Sequence, residues 1–545
     1  MAFNLADLAE HTADAVPDRT ALICGDRSVT FAELDARANQ LAHHLADQGI
    51  SERDHVAIYS LNSIEYVEAM LAAYKLRAVP INVNYRYEDD ELAYLFGNGD
   101  VVAVVYQASY AGRIAAVSER IPTLRHLIEI DDGARSSEDT GPPVDTGATR
   151  YEDAVADGSP ERDFGPRDDG DLYILYTGGT TGMPKGVMWR HEDVWRALGG
   201  GIDFMTRERI TDEYQLSREA AEAEPSVGLV LAPLMHGAAQ WGTLVGLFKG
   251  VTNVLLPRFD PHLVWSAVEQ YQIAIVTITG DAMAVPLIDA MEERDYDLSS
   301  LMAISSTAAV FSPVVKAKLF ELMPDLFITE AVGSSEGGFN GLRVLDRNAD
   351  LTPSTDSGGL INVAPGLDTV VIDDDNQPVA PGEVGRLARA GNVPIGYYKD
   401  TEKTAATFIE VNGRRHSVPG DQARLELDGT ITLLGRGSQC INSGGEKIHP
   451  EEVESVLKAH PSVFDALVLG TEDERWGQRV VALVQSRPGE APTLDELAAF
   501  TQTKLAGYKA PRELHLVDDM PRQPSGKPDY KRARALIDAR SISTL

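Results

Sequence analysis

Apolar and polar positions follow two rhythms along this chain, and the change of rhythm marks out its parts. Over residues 30–48 apolar side chains recur at i, i+3, i+4 and i+7, the spacing of an amphipathic helix. Thr30 and Glu33 stand at its start with the spacing of a capping box. Residues 56–60 and 101–106 are short unbroken apolar runs, which suit strands buried on both faces. Helical and strand patterns keep alternating, with a second series from residue 172 to about 331, and this predicts an α/β fold with largely parallel sheets. Residues 131–170 are rich in Gly, Pro, Ser and Asp and read as an exposed connection. From 357 to 434 the segments turn short and β-rich, separated by turns such as Asn412-Gly413 and Asp428-Gly429, as in an antiparallel sheet or small barrel. Residues 436–445 are polar and Gly-rich, a hinge candidate, and a helix opens at Pro450 with Glu451 and Glu452 in its first turn.

The length of 545 residues supports several folding units. No apolar run approaches the ~20 residues that span a bilayer, and the first residues lack a basic segment followed by an apolar core, so no signal peptide is expected and the cytoplasm is the default location. Cys24 and Cys440 are too few to staple the chain and do not have metal-ligand spacing. The net charge of −34 argues against a general nucleic-acid binder and against an anionic membrane surface. It is unevenly spread: residues 436–545 hold 15 basic and 16 acidic side chains, whereas residues 1–435 hold 34 and 67. The last stretch is basic, with Arg522, Lys527, Lys531, Arg532, Arg534 and Arg540 against Asp529 and Asp538. Solubility explains most of the acidity, and two units with different partners would explain its unevenness.

The strongest chemical signal follows the apolar run 172–176. It is Thr177-Gly178-Gly179-Thr180-Thr181-Gly182-Met183-Pro184-Lys185-Gly186. Glycines let backbone N–H groups approach a phosphate chain, the threonines add hydroxyls and Lys185 adds a cation. It is not a Walker A loop, because the Gly-x4-Gly-Lys-Ser/Thr order is missing and Pro184 stands where the helix would begin. A surface loop is the plainer reading of such a composition. A rival appears at Gly333-Ser334-Ser335-Glu336-Gly337, which satisfies the G-x-S-x-G nucleophile elbow of α/β-hydrolases, with Ser335 as nucleophile and Asp421 and His449 following in the right order. That elbow needs a helix at once, and Gly337-Gly338-Phe339-Asn340-Gly341 is a poor helix former.

The threonine-glycine-lysine loop closely resembles the signature loop of the adenylate-forming superfamily of acyl-CoA synthetases, adenylation domains and luciferases, and further motifs keep the resemblance going in order to the C-terminus. It implies an N-terminal adenylation domain, 1–435, with αβ subdomains over about 1–350 and a β-rich subdomain over about 351–435. A small mobile α+β lid domain, 436–545, would follow. It implies ATP, Mg²⁺ and coenzyme A as cofactor and co-substrates, a small-molecule acid as partner, no nucleic acid, and room for a homodimer. Carried over by position, Thr307-Ala308-Ala309 and Val332-Gly333-Ser334-Ser335 border the adenine, and Glu336 with Thr181 ligates Mg²⁺. Asp421 holds the ribose, Arg436 contacts ribose or phosphate, and Ser438 is the hinge. Ser443, Gly444 and Gly445 flank the CoA tunnel, and Lys527 bridges the substrate carboxylate and the α-phosphate. His236, Ala238, Ala239 and Gly337 would border the acyl group, with a satisfied core histidine as the plain alternative for His236.

The resemblance also implies that small residues at Gly199-Gly200-Gly201, Ala238-Ala239, Thr307-Ala308-Ala309 and Gly337-Gly338 line the acyl pocket, where missing side chains would leave room for a bulky apolar acid. The wording of residues 158–165, 172–195, 279–283, 441–454 and 506–512 is similar to one branch, the actinobacterial CoA ligases of cholesterol side-chain carboxylates. The expected reaction is therefore ATP-dependent formation of an acyl-CoA from a steroid acid such as 3-oxocholest-4-en-26-oate. Medium- or long-chain fatty acids, or loading of a separate carrier protein, are the alternatives. A pure binding module would not need both the phosphate loop and the terminal lysine.

Overall fold

The apolar runs near residues 56 and 101 become neighbours: His55–Tyr59 pairs in parallel with Val101–Gln107. Their sheet runs in the order Gly396–Tyr397, Gly182–Arg190, Leu172–Gly179, Val79–Asn82, His55–Tyr59, Val101–Gln107, His126–Ile130 and Thr149–Arg150. From Leu172–Gly179 onward all neighbours are parallel. Val56, Ile58, Ala103 and Val105 face one apolar cluster, whereas Ala57, Tyr59, Val104 and Tyr106 face another. Burial on both faces is why these strands are written as continuous apolar runs rather than as alternation. Helix Phe31–Asp47 packs on this sheet's first cluster, and it carries the expected capping box: Glu33 N–H donates to the Thr30 hydroxyl and Thr30 N–H to the Glu33 carboxylate.

The computed structural model describes residues 3–133, 144–179, 182–203, 208–307, 309, 311–351, 360–443, 446–473, 476–523 and 526–542. Contacts divide the chain into two units, Met1–Thr277 with Asn392–Phe408 and Ile278–Gly391 with Ile409–Leu545. The first contains the sheet above and a second series, Arg27–Thr30, Thr20–Cys24, Thr252–Leu255, Val227–Val230 and Ile275–Ile278. No helix among the described residues is long and apolar enough to cross a membrane.

The reading of 131–170 as an exposed connection needs correction. Helix Tyr151–Asp157 lies inside it, with Tyr151, Ala154 and Val155 buried, and the Tyr151 hydroxyl donates to buried Glu68 at 2.8 Å. Further on, Arg167 is almost wholly buried and pairs with Glu10 at 2.8 Å and with Asp7. Turn-forming residues dominate the composition, but the apolar i, i+3, i+4 triplet at 151, 154 and 155 was a helix signal.

In the second unit, Ala303–Thr307 and Phe327–Ser334 are parallel, and Gly338–Leu345 returns antiparallel to the latter. The β-rich region follows, with Asn362–Pro365, Ile431–Arg436, Asp421–Leu425, Val384–Ala390 and Arg414–Ser417 side by side. Both residues of the Asn412-Gly413 turn have positive φ, +52° and +72°, as a tight hairpin of matching twist demands. The last part of the chain forms a sheet of Glu446–Ile448, Ile441–Ser443, Gly477–Ser486 and Val463–Asp473, with Glu513–Leu516 parallel to Gly477–Ser486. Ala466, Val468, Val480, Ala482 and Val484 face one apolar cluster, together with helices Pro450–Lys458 and Leu494–Gln502. Leu467, Leu469, Val481 and Leu483 face the other, together with helix Tyr530–Ile542.

Candidate active site

The phosphate-loop residues form the end of a hairpin. Leu172–Gly179 and Gly182–Arg190 are antiparallel, with Thr177 opposite Lys185 and Gly179 opposite Gly182. Pro184 therefore sits in a strand, and Thr180 and Thr181 lie outside the described residues. The hairpin starts at the carboxyl end of a parallel strand, where open α/β sheets place their ligands. Lys185 pairs with Asp400 at 2.5 Å. That hydrogen bond, with the Lys403 N–H donating to the same carboxylate, holds Asp400 below the usual carboxylate range.

Two asparagines that sequence reasoning missed hold this region. Asn82 ends the neighbouring strand. Its amide donates to the carbonyls of Tyr176 (2.8 Å) and Met235 (2.7 Å), and its oxygen accepts from Tyr176 N–H (2.7 Å). Asn62 accepts from Leu234 N–H at 2.6 Å and donates to the Leu256 carbonyl at 3.1 Å. The strand feeding the phosphate loop and the turn leading to His236 are thus tied through one buried amide. The signal was available only as polar residues at the ends of apolar strands. His236 is half-buried and caps helix Gly237–Phe248, Ala238 is exposed, and Ala239 is packed in the core. Gly237 lies so close to Leu175 that a Cβ would be 2.5 Å from its Cδ2, so the helix start is packed directly on the loop's own strand.

The second unit gathers the other residues. Thr307 and Ala331 are opposite one another on parallel strands, so Thr307 and the Val332–Ser334 strand end lie at the same edge. Ala308 lies outside the described residues. Ser335, Glu336 and Gly337 make the turn between antiparallel strands, with Ser334 opposite Gly338. The Gly337 N–H donates to the Ser334 hydroxyl at 2.8 Å, and the Glu336 carbonyl accepts from the Ser417 hydroxyl at 2.7 Å. Ser417, fully buried, thereby links the Glu336 turn to the segment that leads to Asp421. Asp421 and Arg436 are register partners on adjacent strands, so two residues singled out separately in sequence stand face to face along the backbone.

Ser438 lies in the short turn Gly437–Gln439, anchored by the Gly437 N–H to the Gly420 carbonyl at 3.0 Å. The side chains of Arg436 and Ser438, and residues Gly444 and Gly445, lie outside the described part. Ser443 is buried at the end of strand Ile441–Ser443, opposite Gly477. Lys527 closes a small loop, its carbonyl accepting from Gln523 N–H at 2.8 Å.

Residues 9–398 match the AMP-binding enzyme family, and residues 452–527 match the AMP-binding enzyme C-terminal domain. The chain belongs to the AMP-binding enzyme family. It is 50% identical, over 98% of its length and 96% of the relative's, to a 3-oxocholest-4-en-26-oate–CoA ligase of Rhodococcus rhodochrous. It is equally 50% identical, over 99% and 97%, to a medium/long-chain-fatty-acid–CoA/3-oxocholest-4-en-26-oate–CoA ligase of Mycobacterium tuberculosis. The fold matches the crystal structure of the anthranilate CoA ligase AuaEII in complex with anthranoyl-AMP, with a TM-score of 0.82 at 22% identity, covering 98% of this chain and 97% of that one. The recognition made from the signature loop, the α/β fold and the ligase class are all borne out.

As an AMP-binding enzyme the chain has no use for the hydrolase reading, and its structure overturns it independently. A nucleophile elbow requires strand–turn–helix, whereas Ser335 sits in a strand–turn–strand hairpin. The small residues at 199–201 also need reinterpretation. A Cβ on Gly199 would lie 2.6 Å from Trp241 and 2.8 Å from Trp195, and one on Gly201 would lie 2.8 Å from Arg196 and 2.9 Å from Trp195. Two of these glycines admit indole rings into the core and open no space for an acid. One further acidic group stands out in this AMP-binding enzyme. Glu451 is half-buried, its carboxylate end against Gly435, whose φ of +98° and missing side chain leave room for it. Burial, then Glu454 and Asp421, push its carboxyl up to about 8.

Proposed function

We propose that this AMP-binding enzyme is an acyl-CoA synthetase for steroid side-chain carboxylates such as 3-oxocholest-4-en-26-oate. The observation that carries the proposal is the 50% identity to a ligase of that name over nearly the full length of both chains. Medium- and long-chain fatty acids form a second substrate class, favoured by the double name of the mycobacterial relative. A cytoplasmic location follows from ATP and CoA as co-substrates, and light scattering distinguishes a homodimer from a single chain of 59.0 kDa.

In the first half-reaction the acid's carboxylate oxygen attacks the α-phosphorus of ATP. The bond from that phosphorus to the pyrophosphate oxygen breaks, and acyl-adenylate and pyrophosphate form. Catalysis of this kind is positioning and charge neutralisation. The loop at 177–185 supplies backbone N–H groups and the cation of Lys185, Asp421 accepts from the ribose hydroxyls, and Lys527 neutralises the two anions that must meet. Glu336 and Thr181 would hold Mg²⁺. Among the described residues no group of three or more His, Cys, Asp or Glu could cage a metal alone. One carboxylate and one hydroxyl are hard oxygen donors of the kind such a cation would take. When bound it offsets phosphate charge. In the second half-reaction the CoA thiolate attacks the acyl carbonyl, the bond to the AMP oxygen breaks, and AMP leaves. Ser443, Gly444 and Gly445 are the proposed CoA-side residues, and Ser438 the hinge.

ATP–pyrophosphate exchange across steroid, fatty and aromatic acids, followed by CoA addition, tests the proposal. The steroid acid should give the fastest exchange and a thioester. No exchange with any acid overturns the synthetase reading, and exchange without a CoA thioester points to a carrier-protein acceptor.

A further inference from the structure

The Lys527 loop is seated by a set of buried charges that the mechanism above does not use. Arg522 forks onto Asp465, Nε to Oδ2 at 2.5 Å and Nη2 to Oδ1 at 2.7 Å. Its remaining Nη1 donates to the carbonyl of Gly526, the residue before Lys527, at 2.9 Å. The loop is also closed on itself: Gly526 N–H donates to Gln523, Gln523 N–H to Lys527, and Asp529 N–H to Pro521. Gly526 has φ +76°, and a Cβ there would lie 2.7 Å from the Thr279 hydroxyl. Lys458 Nζ lies 3.3 Å from the same Asp465 Oδ1 and 3.7 Å from Asp281. Asp281 is fixed by the Ser312 N–H at 2.8 Å. The four charged side chains are between 5% and 13% exposed.

Asp281 and Thr279 fall in the stretch matched by the AMP-binding enzyme family, whereas Lys458, Asp465, Arg522 and Gly526 fall in the C-terminal-domain match. All belong to one compact unit. We propose that Asp281, Lys458, Asp465 and Arg522 form a charge relay that positions Lys527 for adenylate formation and is dispensable for thioester formation. The proposal rests on the synthetase reading. The relay pairs two acids with two bases; burial pushes the Asp281 carboxyl up, opposed by Lys458 and the Ser312 N–H. Glu454, which also faces Lys458 and Arg522, accepts from Val468 N–H at 2.9 Å and is pushed toward its neutral form by burial. Asp465 is drawn down to about 2, Lys458 and Arg522 outweighing the effect of burial. A buried ion relay is a poor way to gain stability, since apolar replacements often do better. It is exchanged for water more readily than an apolar contact, because separated charges regain hydration whereas separated apolar faces do not. These four are positioning residues, acting through Lys527.

The test uses the full chain with 3-oxocholest-4-en-26-oate, and reads adenylation by pyrophosphate release and thioester formation from preformed acyl-adenylate separately. Asp281→Asn keeps an oxygen for the Ser312 N–H and removes the charge. Adenylation should fall by up to about 10²-fold, the scale of a positioning error of ~1 Å, while the second half-reaction changes less than about three-fold. In a Lys527→Ala background the same substitution should cost adenylation nothing further, which a general loss of structure would not spare. Lys458→Gln carries the same test at a second position, and the Asp281→Asn/Lys458→Gln pair should recover part of the loss by removing the orphaned charge. Equal loss in both half-reactions, or full additivity with Lys527→Ala, overturns the relay. Failure of the synthetase reading looks different: the unaltered enzyme would then form no adenylate from any acid.

Discussion

Two lysines stand at the ends of loops in this chain, and they are held by different means. Lys185 lies in a strand ladder with its ammonium paired to the half-exposed Asp400, and the strand opposite is clamped to its surroundings by the neutral amide of Asn82. Lys527 lies in a loop whose seat is a set of buried ions. Backbone ladders and neutral amides hold a geometry permanently, while an ion relay is strong when dry and readily exchanged for water. The bridging role proposed for Lys527 belongs to adenylation alone. The largest effect should therefore come from Lys527→Ala. Adenylation should fall about 10²–10³-fold, the scale of losing one charge-stabilising donor, with thioester formation from preformed acyl-adenylate nearly intact. Parallel losses in the two half-reactions would erase the distinction between the two lysines.

The other side of the comparison is sharpened at Asn82. Its replacement by Ala leaves one N–H and two carbonyls without their side-chain partner, each worth ~1–3 kcal/mol when buried. A total loss of about 3 kcal/mol in urea unfolding is expected, and both half-reactions should weaken together. An Asn82→Ala enzyme that lost only adenylation would show that the cradle, too, is specific to one step.

The two regions were not equally legible in the sequence. The phosphate loop announced itself because its chemistry is local: ten adjacent residues carry it, directly after an apolar strand. The Asp421–Arg436 pairing could not be read from spacing alone, although each residue was flagged through the family resemblance, because register across two strands depends on the bulge between Gln422 and Ala423. Asn62, Asn82 and Ser417 were missed altogether. A buried polar residue that satisfies backbone groups far away in sequence looks like any surface residue until the fold brings its partners to it. The relay is the extreme case, since Asp281, Lys458, Asp465 and Arg522 span 241 residues, the difference between their first and last numbers. The helix at 151–157 was legible and was outvoted by the Gly, Pro, Ser and Asp around it. The glycines at 199 and 201 were noticed, but their emptiness was credited to an acid when two tryptophans fill it.

That reassignment predicts a smaller effect in the first unit. Gly199→Ala forces a methyl group against Trp195 and Trp241, and overpacking of this kind costs about 1–3 kcal/mol. The melting temperature should fall by a few degrees, while the ratio of rates on steroid and fatty acids stays constant. A changed ratio with an unchanged melting temperature would return Gly199 to the wall of the acyl pocket.

An effect that shows only as pH changes lies beside the relay. Glu451 is an acid whose pKa in the folded chain is raised by burial, and by Glu454, Asp421 and Glu452, to about 8 from an ordinary 4.5. The folded chain therefore keeps a proton that the unfolded chain has lost over that interval. Its contribution to stability is complete below pH ~4.5 and is lost as pH rises through about 8, with a slope of at most ~1.4 kcal/mol per pH unit. Glu451→Gln is neutral at every pH and should flatten the stability profile between pH 6 and 8 in urea titrations. Parallel profiles for the two proteins would mean that Glu451 ionises normally. A flattened one would mean that the region around Gly435 is kept together partly by leaving one acid uncharged, beside a relay built from ion pairs.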